Sequence, residues 1–184
     1  MKQKKTILAR IFAGLFLLVF LTLTGLLIYG ALQPETLPLG APMPEMAFQT
    51  ENGTKILHPD RAHKTLVMYF HTNCKYCRAQ LRKFDENIAA FKDTHMILLT
   101  HEKNLFEKKR MRAWPYLAQA KNITWGIAGK DALLEHFAPR VTPTTYIFNK
   151  AGLLVSKIRG EAKLEKMLNA LKKAGGPERR FSGQ

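Results

Sequence analysis

The stretch Thr65-Leu66-Val67-Met68-Tyr69-Phe70-His71-Thr72-Asn73-Cys74-Lys75-Tyr76-Cys77 decides how this chain is read. Its first six residues, TLVMYF, are a continuous apolar, β-branched and aromatic run, as expected of a strand buried on both faces. Downstream, Cys77, Leu81, Phe84, Ile88 and Phe91 recur in steps of four and three, one apolar stripe of a helix. The cysteines therefore stand between a buried strand and the first turn of an amphipathic helix. There the unpaired N–H groups and the positive end of the helix dipole favour a thiolate, and the charge of Lys75 acts in the same sense. The thiolate is the attacking species in disulfide exchange, and a second thiol three residues on is close enough to resolve a mixed disulfide. Cys77 falls on the buried stripe, so Cys74 is read as the exposed nucleophile and Cys77 as its shielded partner.

The competing readings of this pair are two structural cysteines or half a zinc site. Zinc needs four ligands, and the only His beside the pair is His71. His58, His63, His95, His101 and His136 have no ligand spacing and are read as surface or polar filler. Arg78 follows Cys77 where a haem attachment motif requires His.

Outward from the motif, short strands alternate with amphipathic helices. Phe48-Gln49 and Lys55–Leu57 flank a tight turn at Glu51-Asn52-Gly53-Thr54, and Met96–Leu99 is a second buried strand. Asn104–Ala120 is predicted to be a basic helix kinked or ended by Trp114-Pro115, and Asp131–Phe137 a short helix capped by Asp131. Strands Thr144–Phe148 and Leu153–Arg159 are joined by the turn Asn149-Lys150-Ala151-Gly152. Leu164, Met167, Leu168 and Leu171 give the apolar face of a closing helix. Val141-Thr142-Pro143-Thr144-Thr145 puts a proline at a strand start, where its missing N–H is tolerated. Taken alone, that proline reads as an ordinary trans residue or as one of the X-Pro bonds that are cis. The sum is an α/β domain of three layers, a central mixed sheet with helices on both faces.

The first 34 residues are different. Lys2, Lys4, Lys5 and Arg10 make a basic start, and residues 11–31 are almost wholly apolar. As a helix those residues would span roughly 31 Å, the thickness of a bilayer core. Tyr29-Gly30-Ala31 is a poor cleavage site, so an uncleaved anchor is expected rather than a removed signal. The basic flank keeps the N-terminus cytoplasmic and sends the rest of the chain outward. The expected organisation is a basic cytoplasmic start at 1–10, a transmembrane anchor at 11–31 and a Pro-rich linker at 32–44. The folded domain then covers 45–174, and a polar tail 175–184. The chain is thus read as a single-pass protein of the inner or cytoplasmic membrane, its C-terminal domain periplasmic or otherwise extracytoplasmic.

Composition excludes several classes. With 46% hydrophobic residues and 11 Phe the chain is not intrinsically disordered, and two cysteines cannot build a multi-disulfide scaffold. Beyond the basic start, 25 basic residues face 14 acidic ones, a net of +11. Lys103, Lys108, Lys109, Arg110 and Arg112 cluster in one segment, with Lys172, Lys173, Arg179 and Arg180 near the end. Outside the cytoplasm that charge fits anionic lipid, an acidic partner or a solvated face; no nucleic-acid partner is expected.

These residues carry a resemblance. From about Gly40 to Ala174 the chain resembles membrane-anchored thioredoxin-fold proteins of the TlpA/ResA-like group. Gly40-Ala41-Pro42-Met43-Pro44 with Phe48 resembles the group's lead-in segment, TLVMYFHTNCKYC its strand and motif, and VTPTTYIFNKAGLLVSKIRG its cis-Pro strand, hairpin and glycine. The resemblance implies that Pro143 is cis and lies beside Cys74, and that the Thr142 backbone pairs with an extended segment of a substrate protein. Asn73 stands where members usually have Trp, Met68 where thioredoxin has a buried Asp, and Gln80 where cytochrome c maturation reductases often have Glu. A buried carboxylate there would exchange the resolving thiol's proton. Glu102 is a candidate substitute, with a helix-start surface role as its alternative. The peroxiredoxin arrangement Pro-x3-Thr-x2-Cys is missing, which disfavours peroxidase activity.

The expected function is a membrane-anchored thiol:disulfide oxidoreductase that reduces disulfides of extracytoplasmic proteins. Cys74 and Cys77 are its catalytic residues, and Thr142, Pro143, Lys75 and Tyr76 form its substrate groove. No cofactor or metal is expected beyond the Cys74–Cys77 disulfide itself, and a membrane electron-donor protein is the expected partner besides protein thiols and disulfides. The alternatives are a disulfide oxidase or isomerase, a copper-binding or delivery module using Cys74, Cys77 and His71, and a redox-inert interaction domain.

Overall fold

The computed structural model describes residues 2–32, 37–107 and 112–176. It divides into two compact units, residues 1–35 and 36–184. The first is a single helix, α1 (Lys2–Leu32), which contains an 18-residue stretch, Phe12–Tyr29, long and apolar enough to cross a membrane. The large side chains of that stretch, Phe16 and Leu27 among them, are exposed.

The second unit is built on seven strands in the order β2-β1-β5-β4-β3-β6-β7. These are β1 (Ala47–Thr50), β2 (Gly53–Ile56), β3 (Lys64–Tyr69), β4 (Thr94–Thr100), β5 (Ile123–Ile127), β6 (Thr144–Phe148) and β7 (Leu154–Arg159). Strands β3, β4 and β5 run parallel, in a register that sets Lys64 beside Thr94 and Tyr69 beside Leu99. Strand β6 pairs antiparallel with β3, and β7 with β6, so the sheet is mixed as the sequence predicts.

Both faces of the sheet are covered, which is why TLVMYF carries no polar alternation. On one face Leu66, Met68, Phe70 and Leu98 pack with Cys77, Leu81 and Phe84 of α2 (Lys75–Glu86). The same cluster takes Leu117 from α3 (Pro115–Gln119), and Met167 and Leu171 from α5 (Leu164–Ala174). On the other face Val67, Tyr69, Ile97, Tyr146 and Phe148 pack with Leu133 and Phe137 of α4 (Lys130–Phe137). A fully buried Leu or Phe stabilises such a core by about 1.5–3 kcal/mol.

Several elements depart from the sequence reading. The long basic helix expected over Asn104–Ala120 is absent among the described residues. Residues 103–106 are turns, 108–111 lie outside the described residues, and only Pro115–Gln119 is helical. Pro115 starts that helix instead of ending one, because a proline in the first turn loses no hydrogen bond. The buried Asp85 carboxylate of α2 completes this start by accepting the Leu117 N–H at 2.8 Å. Strand β5 was not legible in the pattern: its Gly126 breaks the apolar run, and a Cβ there would collide with Phe48 and Leu99. Helix α4 begins at Lys130 with Gly129 as its cap, so Asp131 lies in the first turn, where a carboxylate favours the dipole without capping. The stripe from Cys77 to Phe91 is interrupted at Asn87, and Ile88–Phe91 continues as a 3-10 turn.

The β6–β7 turn forms at the expected residues. Asn149 accepts the Leu153 N–H through Oδ1 at 2.8 Å, and Gly152 takes a positive φ of 79°. The Pro-rich stretch lies along this hairpin from Leu37 onward, with hydrogen bonds from Gly40 to Leu154 and from Met43 to Gly152. Residues 33–36 and 177–184, with Arg179 and Arg180, lie outside the described residues, as do Lys108, Lys109 and Arg110.

Candidate active site

The site forms where β3 and β4 end and α2 begins. After Phe70 the chain turns through His71, Thr72 and Asn73, and the Cys74 N–H bonds the His71 carbonyl at 3.2 Å. Cys74 is the N-cap of α2, and its Sγ accepts the Cys77 N–H at 3.3 Å. The thiol thus fills the role that Ser or Asp usually has at a helix start, and the orphan donor of the first turn is aimed at sulfur. Cys77, one turn on, is fully buried in the core. Its Sγ accepts the His71 N–H at 3.5 Å.

The two thiols, both free, differ accordingly. Partial burial works against ionisation of Cys74, but the hydrogen bonds from the Cys77 thiol and N–H outweigh it and hold Cys74 below its ordinary value. Burial, followed by the hydrogen bond to Cys74, pushes the Cys77 thiol up to about 12.

The loop before β6 reaches the same sulfur. The Thr142–Pro143 bond is cis, and the Cys74 thiol lies 3.6 Å from the Thr142 carbonyl, which accepts from it. Pro143 is buried, Thr142 half-buried, and the Pro143 carbonyl takes the N–H of Gly160 at 2.8 Å, which fastens the loop to the end of β7. Lys75 and Tyr76 are exposed beside Cys74, Tyr76 with 59% of its surface open. All six residues singled out in the sequence are therefore at one end of the sheet.

The three positions that depart from relatives have defined surroundings. Met68 is part of the core and Asn73 is exposed. Gln80 is buried, and its Oε1 accepts the Ala162 N–H at 2.8 Å, tying α2 to the segment after β7. Glu102 does not start a helix. Its Oε2 accepts the Thr72 N–H at 2.6 Å, so it holds the motif loop.

Two neighbours of the site were missed in the sequence. Tyr69, at the end of β3, has its hydroxyl 3.0 Å from His71 Nε2 and 2.9 Å from His101 Nδ1. The His71 and His101 rings meet edge to face with centroids 4.5 Å apart. A usable signal was present: His71 and His101 follow the two buried parallel strands at nearly the same offset, so neighbouring strands deliver them to one place. Among the described residues no group of three or more His, Cys, Asp or Glu side chains is arranged to hold a metal ion.

Fold and site together are those of a thioredoxin-like thiol:disulfide oxidoreductase. The family model of the thioredoxin-like domain matches residues 51–175, and the chain belongs to that family. Solved structures agree in fold. A peroxiredoxin-like protein from Aquifex aeolicus aligns with TM-score 0.63 at 15% identity, over 77% of this chain and 90% of its own. A putative thiol:disulfide interchange protein DsbE from Chlorobium tepidum aligns with TM-score 0.57 at 17% identity, over 76% and 99%. An exposed lipoprotein thioredoxin from Streptococcus pneumoniae gives 0.54 at 22% identity, over 71% and 99%. Among curated protein sequences none matches the chain.

Proposed function

We propose that this chain is a membrane-anchored reductase of disulfides in extracytoplasmic proteins, close in type to the TlpA/ResA-like group. Cys74 attacks the substrate disulfide and releases one substrate thiol. Cys77 then attacks Cys74 Sγ, expels the second thiol and leaves a Cys74–Cys77 disulfide. Two electrons pass from the dithiol to the substrate, and a membrane electron-donor protein returns them. Thr142 and Pro143, with Lys75 and Tyr76, line the docking groove.

The observation that carries this reading is the asymmetry of the two thiols. One is partly open at a helix start and held low, and the other is buried three residues on and raised to about 12. That is the division of labour exchange chemistry requires, since the attacking sulfur must be a thiolate and the resolving sulfur must wait. The apolar helix Phe12–Tyr29 behind a basic start supports a single-pass anchor with the folded domain outside.

The test is the reduction potential of the full chain in detergent, equilibrated in thiol buffers and read by alkylation. A value near about −250 mV or lower fits a reductase, whereas one near about −120 mV marks an oxidant and overturns the direction. In parallel, Cys77→Ala should accumulate mixed disulfides through Cys74. Absence of any Cys74–Cys77 disulfide at every poise would reject the enzyme reading.

A further inference from the structure

Cations stand on both sides of the reactive sulfur. Lys75 follows Cys74 directly and is exposed. Arg78, also exposed, stands one turn on, where its N–H closes the helix bond to the Cys74 carbonyl at 3.0 Å. Residues four apart share a helix face and lean toward its N-terminus, so Arg78 leans toward the end of α2 that carries the sulfur. Arg140 comes from the other side. It is exposed and lies two residues before Thr142, whose carbonyl is 3.6 Å from Cys74 Sγ. Two residues of chain reach no further than about 7 Å, inside the screening length of about 8 Å at physiological salt.

None of these three cations makes an ion pair among the described residues. The acids in the loops bonded to the site are engaged elsewhere. Glu102 accepts the Thr72 N–H at 2.6 Å, and Glu161, next to the Gly160 that bonds Pro143, is paired with Lys83 at 2.5 Å. Burial first, then His101, holds His71 below its ordinary value, with Glu102 opposing; from α4 it is Lys130 that adds to the fall. Burial, then Arg140, does the same to Lys157. Two apolar side chains complete the rim: Tyr76 on α2 and Val141 beside Thr142, with 59% and 46% of their surfaces open.

We infer that the site selects disulfides that lie in acidic segments of its protein substrates, with Lys75, Arg78 and Arg140 setting the preference; this rests on the thiol:disulfide reading above and adds the charge of the substrate to it. Cations on both sides of Cys74 attract a segment with Glu or Asp on both sides of its cysteine and repel one with Lys or Arg. Tyr76 and Val141 offer apolar surface to the residue beside that cysteine, while the carboxylates stay in water near the cations. Exposed ion pairs are worth little once formed, so the preference acts on encounter: it raises the rate at which an acidic disulfide reaches Cys74 and fades as salt rises. Because the cations adjoin a reactive sulfur, an acidic segment that carries a disulfide is favoured over an anionic lipid surface, which carries none.

Three disulfide-linked peptides of one sequence, with the cysteine flanked by Glu, Gln or Lys, test this against the reduced full chain in neutral detergent. Each rate is divided by that of 2-mercaptoethanol with the same peptide, which removes the effect of the flanking charge on the peptide's own sulfur. At low ionic strength the Glu peptide should be reduced about tenfold faster than the Lys peptide, with Gln between, the lower end of electrostatic steering. The ratio should fall below about twofold at about 0.5 M salt. The double variant Arg78→Gln/Arg140→Gln, which leaves Lys75 beside the thiol, should bring the low-salt ratio below about threefold by slowing the Glu peptide and speeding the Lys peptide. Slowing of all three peptides alike would mean that these charges act on the Cys74 thiol and not on substrate, and would overturn the inference. Equal rates for the three peptides in the wild type would overturn it too; if phosphatidylglycerol in the micelles then slows all three alike, the cations belong to a lipid surface. Reduction of none of the peptides would instead overturn the exchange reading itself.

Discussion

The parallel strands β3 and β4 have a histidine cluster at each end, and the two clusters behave differently. At the carboxyl ends, His71 and His101 meet across the Tyr69 hydroxyl, with Cys77 and Glu102 beside them. At the amino ends, His63 bonds Asp60 at 2.9 Å, and His95 lies 3.9 Å from the same carboxylate with its Nε2 bonded to Thr124. Residue types are similar, but only the first cluster adjoins a helix N-terminus with thiols in its first turn. The difference is one of topology: in a parallel sheet the crossover helix starts where the strand ends, so positive dipole ends and turn residues collect at the carboxyl edge. The amino-end cluster is left as polar packing.

The comparison can be broken most sharply by activity. Cys74→Ser should abolish disulfide exchange at the carboxyl end, whereas His63→Gln at the other end should leave the rate of insulin disulfide reduction within twofold of wild type. Equal losses in both would dissolve the distinction. Within the site, the thiols themselves should differ next most. With Cys74 held below the ordinary thiol value of 9.0 and Cys77 at about 12, their thiolate fractions at pH 7 differ by about 1,000-fold or more. Iodoacetamide should therefore modify Cys74 first, by a smaller margin than the thiolate fractions because the thiolate of lower pKa is the weaker nucleophile, as peptide mapping of the reduced protein would reveal, and comparable rates would overturn the assignment.

The smallest effect concerns stability in acid. His95 is held below 6.5, first by burial, with the Asp60 charge opposing and Lys55, His58 and His63 adding to the fall. A His depressed in the folded state takes up protons preferentially when unfolded. Its contribution is therefore complete above about pH 6.5 and is lost as pH falls from there toward the folded value. Each unit of that window costs at most about 1.4 kcal/mol, so an effect on the order of 1 kcal/mol is expected. His95→Gln should reduce by that amount the fall in unfolding free energy between pH 6.5 and 5 measured by urea denaturation, with residual slope from His71, which is depressed as well. An unchanged slope would mean that the amino-end cluster is solvated in both states.

Some of this molecule was legible one residue at a time. The TLVMYF strand, the apolar stripe through Cys77 and Leu81, and the Asn149–Gly152 turn are local patterns, and each folds as its pattern implies. The failures are also physical. Strand β5 hides because its glycine answers to Phe48 and Leu99, more than 20 residues away in sequence. The helix expected over Asn104–Ala120 is absent among the described residues, where Leu105 reaches the core from a turn and Leu117 from the short helix that Pro115 begins. His101 looked like filler because nothing adjacent to it in sequence reveals Tyr69.

The sequence by itself determined the thiol spacing, its position at a helix start and the burial of Cys77, because dipole, cap and periodicity act within a few residues. Only the tertiary structure decided what meets those sulfurs. The Thr142 carbonyl comes to Cys74 from 68 residues away, His101 to Tyr69 from 32, and Glu102 to Thr72 from 30. Those distances are closed by strand order and register, which arise from packing the whole sheet and cannot be read from any single segment of it.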